Sequence, residues 1–417
     1  MAPSSRPRWL GARLSAMFFL DVAVTAAYHP LLSVHLTRAL ALSPAEVGLV
    51  YAMGPLATLV APLLAGALAD GKLAAERLLA IANLGRALAL VLVSRATTLH
   101  EALLAVGVLG LVGSPTAVIG TSIALHHLED APGGIGRTRV FGTVSWIVTL
   151  WFVGTCLEAL ARAGMGAPTR ATFWIAAGLA LVSAAYALTL PRTPPSRFSG
   201  PLAFLGAVSL VKNRDFRVLL VASVLGAMCM QFHVVLHPLF YMDERAGLGL
   251  DLAATSRASS VAQMLEVALF PMLGLLVQRF GLRRVVLLGM VAWPLRFAAY
   301  VFGGPAAFVI GMQALHGVNV VCGQIAVQIA VDRLAAPAIR ASSQALLAAA
   351  TFGLGSLAGQ LLCGVVLGVT GGVEGQGWSF VFSVPFAFGL GAALAIAFAF
   401  QRAPERVPAR PGAQGSA

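Results

Sequence analysis

"PRTPPSRFSGPLAFLGAVSLVKNRD" (191–215) is the longest interval between apolar runs in this chain, and its prolines and basic side chains set it apart from the sequence on either side. Proline has no backbone N–H and clashes with the preceding helical turn, so the stretch reads as a loop. Six apolar runs precede it (14–36, 46–69, 78–95, 101–125, 139–161 and 171–190) and six follow it (217–241, 253–278, 285–303, 306–331, 341–369 and 379–400). Each is roughly 18–28 residues long, enough to cross a hydrocarbon core of about 30 Å at 1.5 Å per residue. The expected architecture is an all-α polytopic membrane protein with twelve transmembrane helices in two six-helix halves, 1–190 and 216–401. A central cytoplasmic loop (191–215) joins the halves, and a Pro- and Gly-rich tail (402–417) has the composition of a disordered segment.

Composition supports the same reading. Of 417 residues, 59% are hydrophobic and 11% charged, whereas a soluble domain carries about 25% charged residues. Mean hydropathy is +0.87. The net charge of +12 suggests nucleic acid at first sight, but its distribution is topological. With the N-terminus in the cytoplasm, 20 of the 28 Lys and Arg residues fall on the cytoplasmic side, 6 fall outside, and Arg86 and Arg296 lie within spans. Acidic residues split evenly, 7 on each side, with Asp21 and Glu266 in the membrane. That is the positive-inside pattern, and it places both termini in the cytoplasm. The first run is too long for a signal-peptide core and carries Asp21, so it is expected to stay as a span. Cys156, Cys229, Cys322 and Cys363 sit inside apolar runs without CxxC spacing and read as small buried hydrophobes, neither disulfides nor metal ligands.

A polar group inside a membrane span is costly, so each one is a candidate. Glu266 lies about halfway along the eighth run with Gln263 one turn before it, which puts carboxyl and amide on one helix face. A carboxylate at that depth costs roughly 2.5–3.5 kcal/mol. A carboxyl that takes up a proton becomes a neutral donor and can couple proton movement to a change of state; the structural alternative is an acid paired with an arginine of a neighbouring helix. In "RTRVFGTVSWIV" (137–148), Arg139, Thr143 and Trp146 fall at i, i+4 and i+7. They form one stripe of donors, hydroxyl and flat ring suited to an aromatic or heterocyclic polar solute. Their structural alternatives are a cytoplasmic anchor for Arg139 and packing for Trp146. Asp21 reads either as a second proton site or as a partner for Arg86. Arg296 reads as packed, paired or snorkelling. Gln231, His233 and His237 have the spacing to line a cavity, while His126 and His127 read as solvated. Walker A, GxSxG, HExxH and dinucleotide motifs are absent, which argues against an ATP-driven pump or a hydrolase.

"GALADGKLAAER" (66–77) and "GLLVQRFGLRR" (274–284) follow the second run of each half. Together with the six-plus-six division and the basic central loop, they resemble the major facilitator superfamily. The resemblance implies solute binding near the midplane between the halves. It narrows further on "RVFGT" (139–143), "QMLE" (263–266), "AWPLRF" (292–297), "HGV" (316–318) and "QIAVDRLAAPAIRASSQA" (328–345). These resemble the bacterial nucleoside:proton symporters, and the likeness runs over nearly the whole chain. It implies that Arg139, Thr143, Gln263 and Glu266 contact nucleoside, with Trp146 at the position of a stacking aromatic. The chain departs from the family in the tenth run. Where the family has an aromatic and, five positions on, an aspartate, this sequence has His316 and Val321, and Val320 replaces another aromatic. The family's asparagine in the seventh run corresponds to His233.

The expectation is therefore a proton-coupled nucleoside importer of the bacterial inner membrane. It would be monomeric, without cofactor, metal or nucleic-acid partner, and embedded in a lipid bilayer. Arg139, Thr143, Trp146, Gln263, Glu266, His233 and His316 would bind solute, with Glu266 and Asp21 as proton-coupling carboxyls. The rivals are a symporter of the same fold for a sugar or aromatic acid, an exporter of hydrophobic compounds by proton antiport, and a non-transporting sensor.

Overall fold

The computed structural model describes residues 9–69, 73–128, 131–165, 168–194, 203–336, 339–370 and 377–401, without the side chains of 61–69, 131–137 and 203–204. Twelve helical spans follow one another. In the first half they are α1 (Leu10–Ala39), α2 (Pro44–Ala69), α3 (Ala75–Arg95), α4 (Leu99–His127), α5 (Ala131–Arg162) and α6 (Arg170–Ala187). In the second they are α7 (Arg214–Met242), α8 (Leu252–Phe280), α9 (Leu282–Phe302), α10 (Ala306–Leu334), α11 (Arg340–Val369) and α12 (Trp378–Ala399). Eleven are long and apolar enough to cross a bilayer by length and composition, and α2 adds a further apolar helix over Pro44–Val60. No strand occurs among the described residues. The all-α, twelve-span fold expected from hydropathy is the one found.

The helix ends explain where the apolar runs under-read them. Helix α5 begins at Ala131, ahead of the expected 139, because "APGGIGRTR" is polar or small yet continues the same helix. At the start of α4, Thr98 and Glu101 form a reciprocal capping box. At the start of α7, Asn213 Oδ1 accepts from the Phe216 N–H at 3.1 Å. The central interval contains a 3-10 helix, Ala203–Lys212, packed on α11, while 195–202 and the tail lie outside the described residues. Of the repeated loop, residues 70–72 likewise lie outside them. In the second copy Gly281, at φ +79°, makes the turn from α8 to α9, a backbone conformation that favours glycine.

The burial pattern is that of a chain with lipid outside. On α3, Leu84, Leu88 and Leu92 form an exposed apolar stripe, while Asn83 and Arg86 are buried on the other face. Helices α1, α3, α5 and α6 pack together, as do α2, α3 and α4; α7, α9, α11 and α12 form the corresponding group in the second half. The halves meet along α2–α11 and α5–α8. Links between them run from the middle of the molecule towards the end remote from the termini. There Arg38 Nη2 donates to the Met242 carbonyl at 3.0 Å, Ser256 Oγ to the Leu150 carbonyl at 2.8 Å and Trp151 Nε1 to Ser260 Oγ at 3.1 Å. Arg257 pairs with Glu158 across the same seam, and Gly48 packs on Gly364.

Three helices are irregular where they approach the space between the halves. Helix α1 tightens into a 3-10 turn at His29–Leu31, where Pro30 offers no N–H to the ladder, and loosens into a π turn at His35–Ala39. Helix α10 has a 3-10 turn at Gln313–Leu315 and a π turn at Asn319–Ile325, and α11 a π turn at Ala349–Gly355. Broken helices at membrane depth are tolerated where they line a cavity.

Candidate functional site

Between the halves lies a cavity of about 740 Å³. Side chains of α1, α4, α5, α7, α8, α10 and α11 line it. Among them is every residue expected to bind solute or carry a proton: Asp21, Arg139, Thr143, Trp146, His233, Gln263, Glu266 and His316. His237 also lines it, but Gln231 does not. The i, i+4, i+7 stripe on α5 brings Arg139, Thr143 and Trp146 in from one half. The i, i+3 pair on α8 brings Gln263 and Glu266 from the other.

The two stripes touch. Thr143 Oγ1 donates to Glu266 Oε1 at 2.8 Å, a hydrogen bond that crosses from one half to the other in the cavity wall. Glu266 is 9% exposed, and among the described residues its carboxyl pairs with no Lys or Arg. Its depth in the wall is set from behind. Gly317 of α10 lies against the backbone at Leu265 and Glu266, where any Cβ would overlap the Glu266 amide nitrogen. His316, next to Gly317 in sequence, lines the same cavity as Glu266. Gln263 Oε1 is buried and has no partner among the described residues, leaving an acceptor free beside the carboxyl.

Asp21 has a different setting. Its Oδ1 accepts from Arg86 Nη1 at 2.6 Å; Arg86 also reaches Asn83 Oδ1, the Asp21 carbonyl and Thr25 Oγ1. Of the two readings left open for Asp21, this geometry favours the ion pair. Val321 is fully buried and off the cavity, while Val320 lines it. Arg296 does not snorkel: it is 0% exposed, with Gln313, His316 and Asn319 as hydrogen-bond partners and the Trp293 ring 5.2 Å from its guanidinium carbon.

Sequence reasoning missed His29, which lines the cavity and meets the Trp146 ring edge-on at 6.4 Å. The signal was "YHPLL" (28–32), a polar ring before a proline inside an apolar run. It also missed Ser259, which bonds His237 Nε2 at 3.0 Å in the cavity wall. His237 Nδ1 in turn donates to the His233 carbonyl at 2.7 Å, and the two imidazoles stack at 4.4 Å.

Twelve helical spans among the described residues, in two groups of six, with a cavity between them that carries polar side chains on a largely apolar wall and broken helices along it, define a solute transporter of the major facilitator fold. The chain belongs to the nucleoside H+ symporter family, whose profile matches residues 9–405. Among its relatives are the putative nucleoside transporter YegT of Escherichia coli (strain K12), 28% identical over 367 residues that cover 85% of this chain and 84% of that one. Xanthosine permease of the same organism is 28% identical over 375 residues, covering 86% and 88% of the two chains. An aspartate-substituted variant of the nucleoside transporter NupG has the same fold, with a TM-score of 0.82 at 23% identity, over 94% of this chain and 100% of that one. The protein is thus a multi-pass transporter of the nucleoside symporter kind and not an enzyme.

Proposed function

We propose that this chain imports nucleosides together with protons across the bacterial inner membrane by alternating access, with both termini in the cytoplasm. The observation that carries the reading is the Thr143–Glu266 hydrogen bond, which puts a carboxyl without an ionic partner among the described residues at a point where both halves and the cavity meet. With the basic segments inside, the pinned end of the molecule is the external one, and the halves stand in a cytoplasm-facing arrangement. In the outward-facing state a proton neutralises Glu266 as nucleoside enters. The neutral carboxyl then donates where it formerly accepted, and the halves rock about the site. Trp146, with His29 at its edge, supplies the flat surface for the base. Arg139 and Gln263 supply a donor and an acceptor for its polar groups. Glu266 is the coupling carboxyl, and Asp21 holds Arg86 in place of a direct proton role. Residues 1–190 and 216–401 act as the two moving bodies, 191–215 as their tether and 402–417 as a cytoplasmic tail. The working unit is a monomer in lipid, with no nucleic-acid partner.

The test is uptake of labelled uridine and adenosine into proteoliposomes, with and without an inward proton gradient, beside Glu266→Gln. Gradient-driven accumulation that the substitution abolishes, with exchange of solute across the membrane retained, is the expected result. Accumulation that ignores the gradient would reassign Glu266 to solute binding. Entry of neither nucleoside, with correctly inserted protein, would overturn the choice of solute.

A further inference from the structure

We propose that Arg296 fixes the tautomer of His316, so that the cavity presents an Nε2–H donor selecting bases with an exocyclic oxo group over those with an amino group in its place. This rests on the nucleoside reading above. Arg296 lies wholly buried on α9, behind the cavity wall. Two amides on α10 are already committed by their nitrogens: Gln313 Nε2 donates to the Val309 carbonyl at 3.1 Å and Asn319 Nδ2 to the Gly289 carbonyl at 2.8 Å. Their oxygens are therefore turned to the guanidinium, Gln313 Oε1 at 3.3 Å from Nε and Asn319 Oδ1 at 3.0 Å from Nη1.

The second Nη1 hydrogen faces His316 Nδ1 at 3.3 Å. A guanidinium has five donors and no acceptor, so Nδ1 meets it with a lone pair and the ring proton sits on Nε2. No carboxylate pairs with Arg296 among the described residues to draw it away, and Trp293 covers one face of its guanidinium. Among the described residues Nε2 has no hydrogen-bond partner, and His316 lines the cavity. The tenth-run substitution of an aromatic by histidine thus becomes a directional donor.

A ribose hydroxyl rotates to donate or accept, so a donor of fixed sense gains no discrimination against it. At the edge of a base the sense matters. An oxo group accepts from Nε2–H, whereas an amino group sets N–H against N–H and leaves both unpaired in a desolvated site. Leaving a buried donor unpaired is worth about tenfold or more in affinity.

Uridine against cytidine and inosine against adenosine are the probes, each pair differing in the exocyclic group and in the proton on the ring nitrogen beside it. In proteoliposome competition the wild-type chain is expected to favour the oxo member by about tenfold in both pairs or in one. His316→Gln, whose amide can turn either end to the solute, should bring that ratio close to one. Nitrogen-15 histidine spectra of the full chain in lipid nanodiscs read the tautomer directly, with the His316 signal assigned by its loss in His316→Gln. Protonated Nε2 with bare Nδ1 is expected in the wild type, and mixed tautomers in Arg296→Gln. A preference for the amino member, a ratio that His316→Gln leaves unchanged, or a proton found on Nδ1 would overturn the proposal. If no nucleoside accumulates at all, the nucleoside reading falls and the oxo selectivity with it; the spectrum then judges the Arg296–His316 geometry by itself.

Discussion

Glu266 and Asp21 are both carboxyls inside apolar helices, and what each one touches separates them. Asp21 faces a guanidinium at 2.6 Å, so removing its charge strands a buried arginine. Asp21→Asn should lower stability by about 3–5 kcal/mol, read as thermal unfolding in detergent, while gradient-driven uptake per folded molecule persists. Replacing Arg86 by Met as well should recover most of the loss. Uptake lost with stability intact would instead make Asp21 a proton site. Glu266 leans on a hydroxyl from the other half, so Thr143→Val is expected to raise KM about tenfold, equivalent to about 1.4 kcal/mol, and Thr143→Ser to restore it. Residues of this kind were legible in sequence because a polar group in an apolar run has to be explained. The setting of Arg296 was not, because the partners that account for it stand 17 to 23 residues away on the next helix.

At the scale of elements, packing of α10 on α8 sets the depth of the site. Gly317 has no room for a Cβ against the α8 backbone, whereas Gly311, on the same helix, has open space around it. Gly317→Ala should therefore cost about 1–3 kcal/mol through overpacking and impair transport, with Gly311→Ala close to neutral in both. Thermal unfolding and uptake measured side by side check this. The three departures in the tenth run have split fates. The π turn at Asn319–Ile325 breaks the regular helix between them, and with it His316 and Val320 face the cavity while Val321 is buried away from it. The spans themselves were legible from hydropathy; their irregular turns were not, since 3-10 and π turns leave the apolar pattern almost unchanged.

For the molecule as a whole, the seam at the far end decides which side of the cavity is shut. Arg257 and Glu158 bridge it with side chains 30% and 37% exposed, a degree of solvation at which an ion pair contributes at most about 1 kcal/mol. Glu158→Gln should then raise the population open at that end by up to about fivefold. Spin-label distances between the starts of α2 and α8 would lengthen in that fraction. An unchanged distance distribution would mean that backbone packing such as Gly48 on Gly364 holds the seam without the ion pair. The six-plus-six division and the basic central loop made the two halves readable in advance. Which end is pinned was not readable, because that depends on contacts between residues about 100 to 300 positions apart.

The π turn at Asn319–Ile325 has a consequence for how such a transporter changes over time. A π turn holds one residue more than its height along the axis requires. Losing one codon from that segment would let the backbone relax to a regular α-helix, with its length across the bilayer nearly kept. Because the extra residue is taken up within one turn of the axis, the side chains on either side, Gln328 among them, would keep their faces. Only the turn itself, with Val320, Gln324 and Ile325 on the cavity wall, would be re-dealt. A single deletion could in this way re-line one turn of the cavity and leave the rest in place, whereas the same deletion in a regular helix swings every side chain beyond it by about 100°.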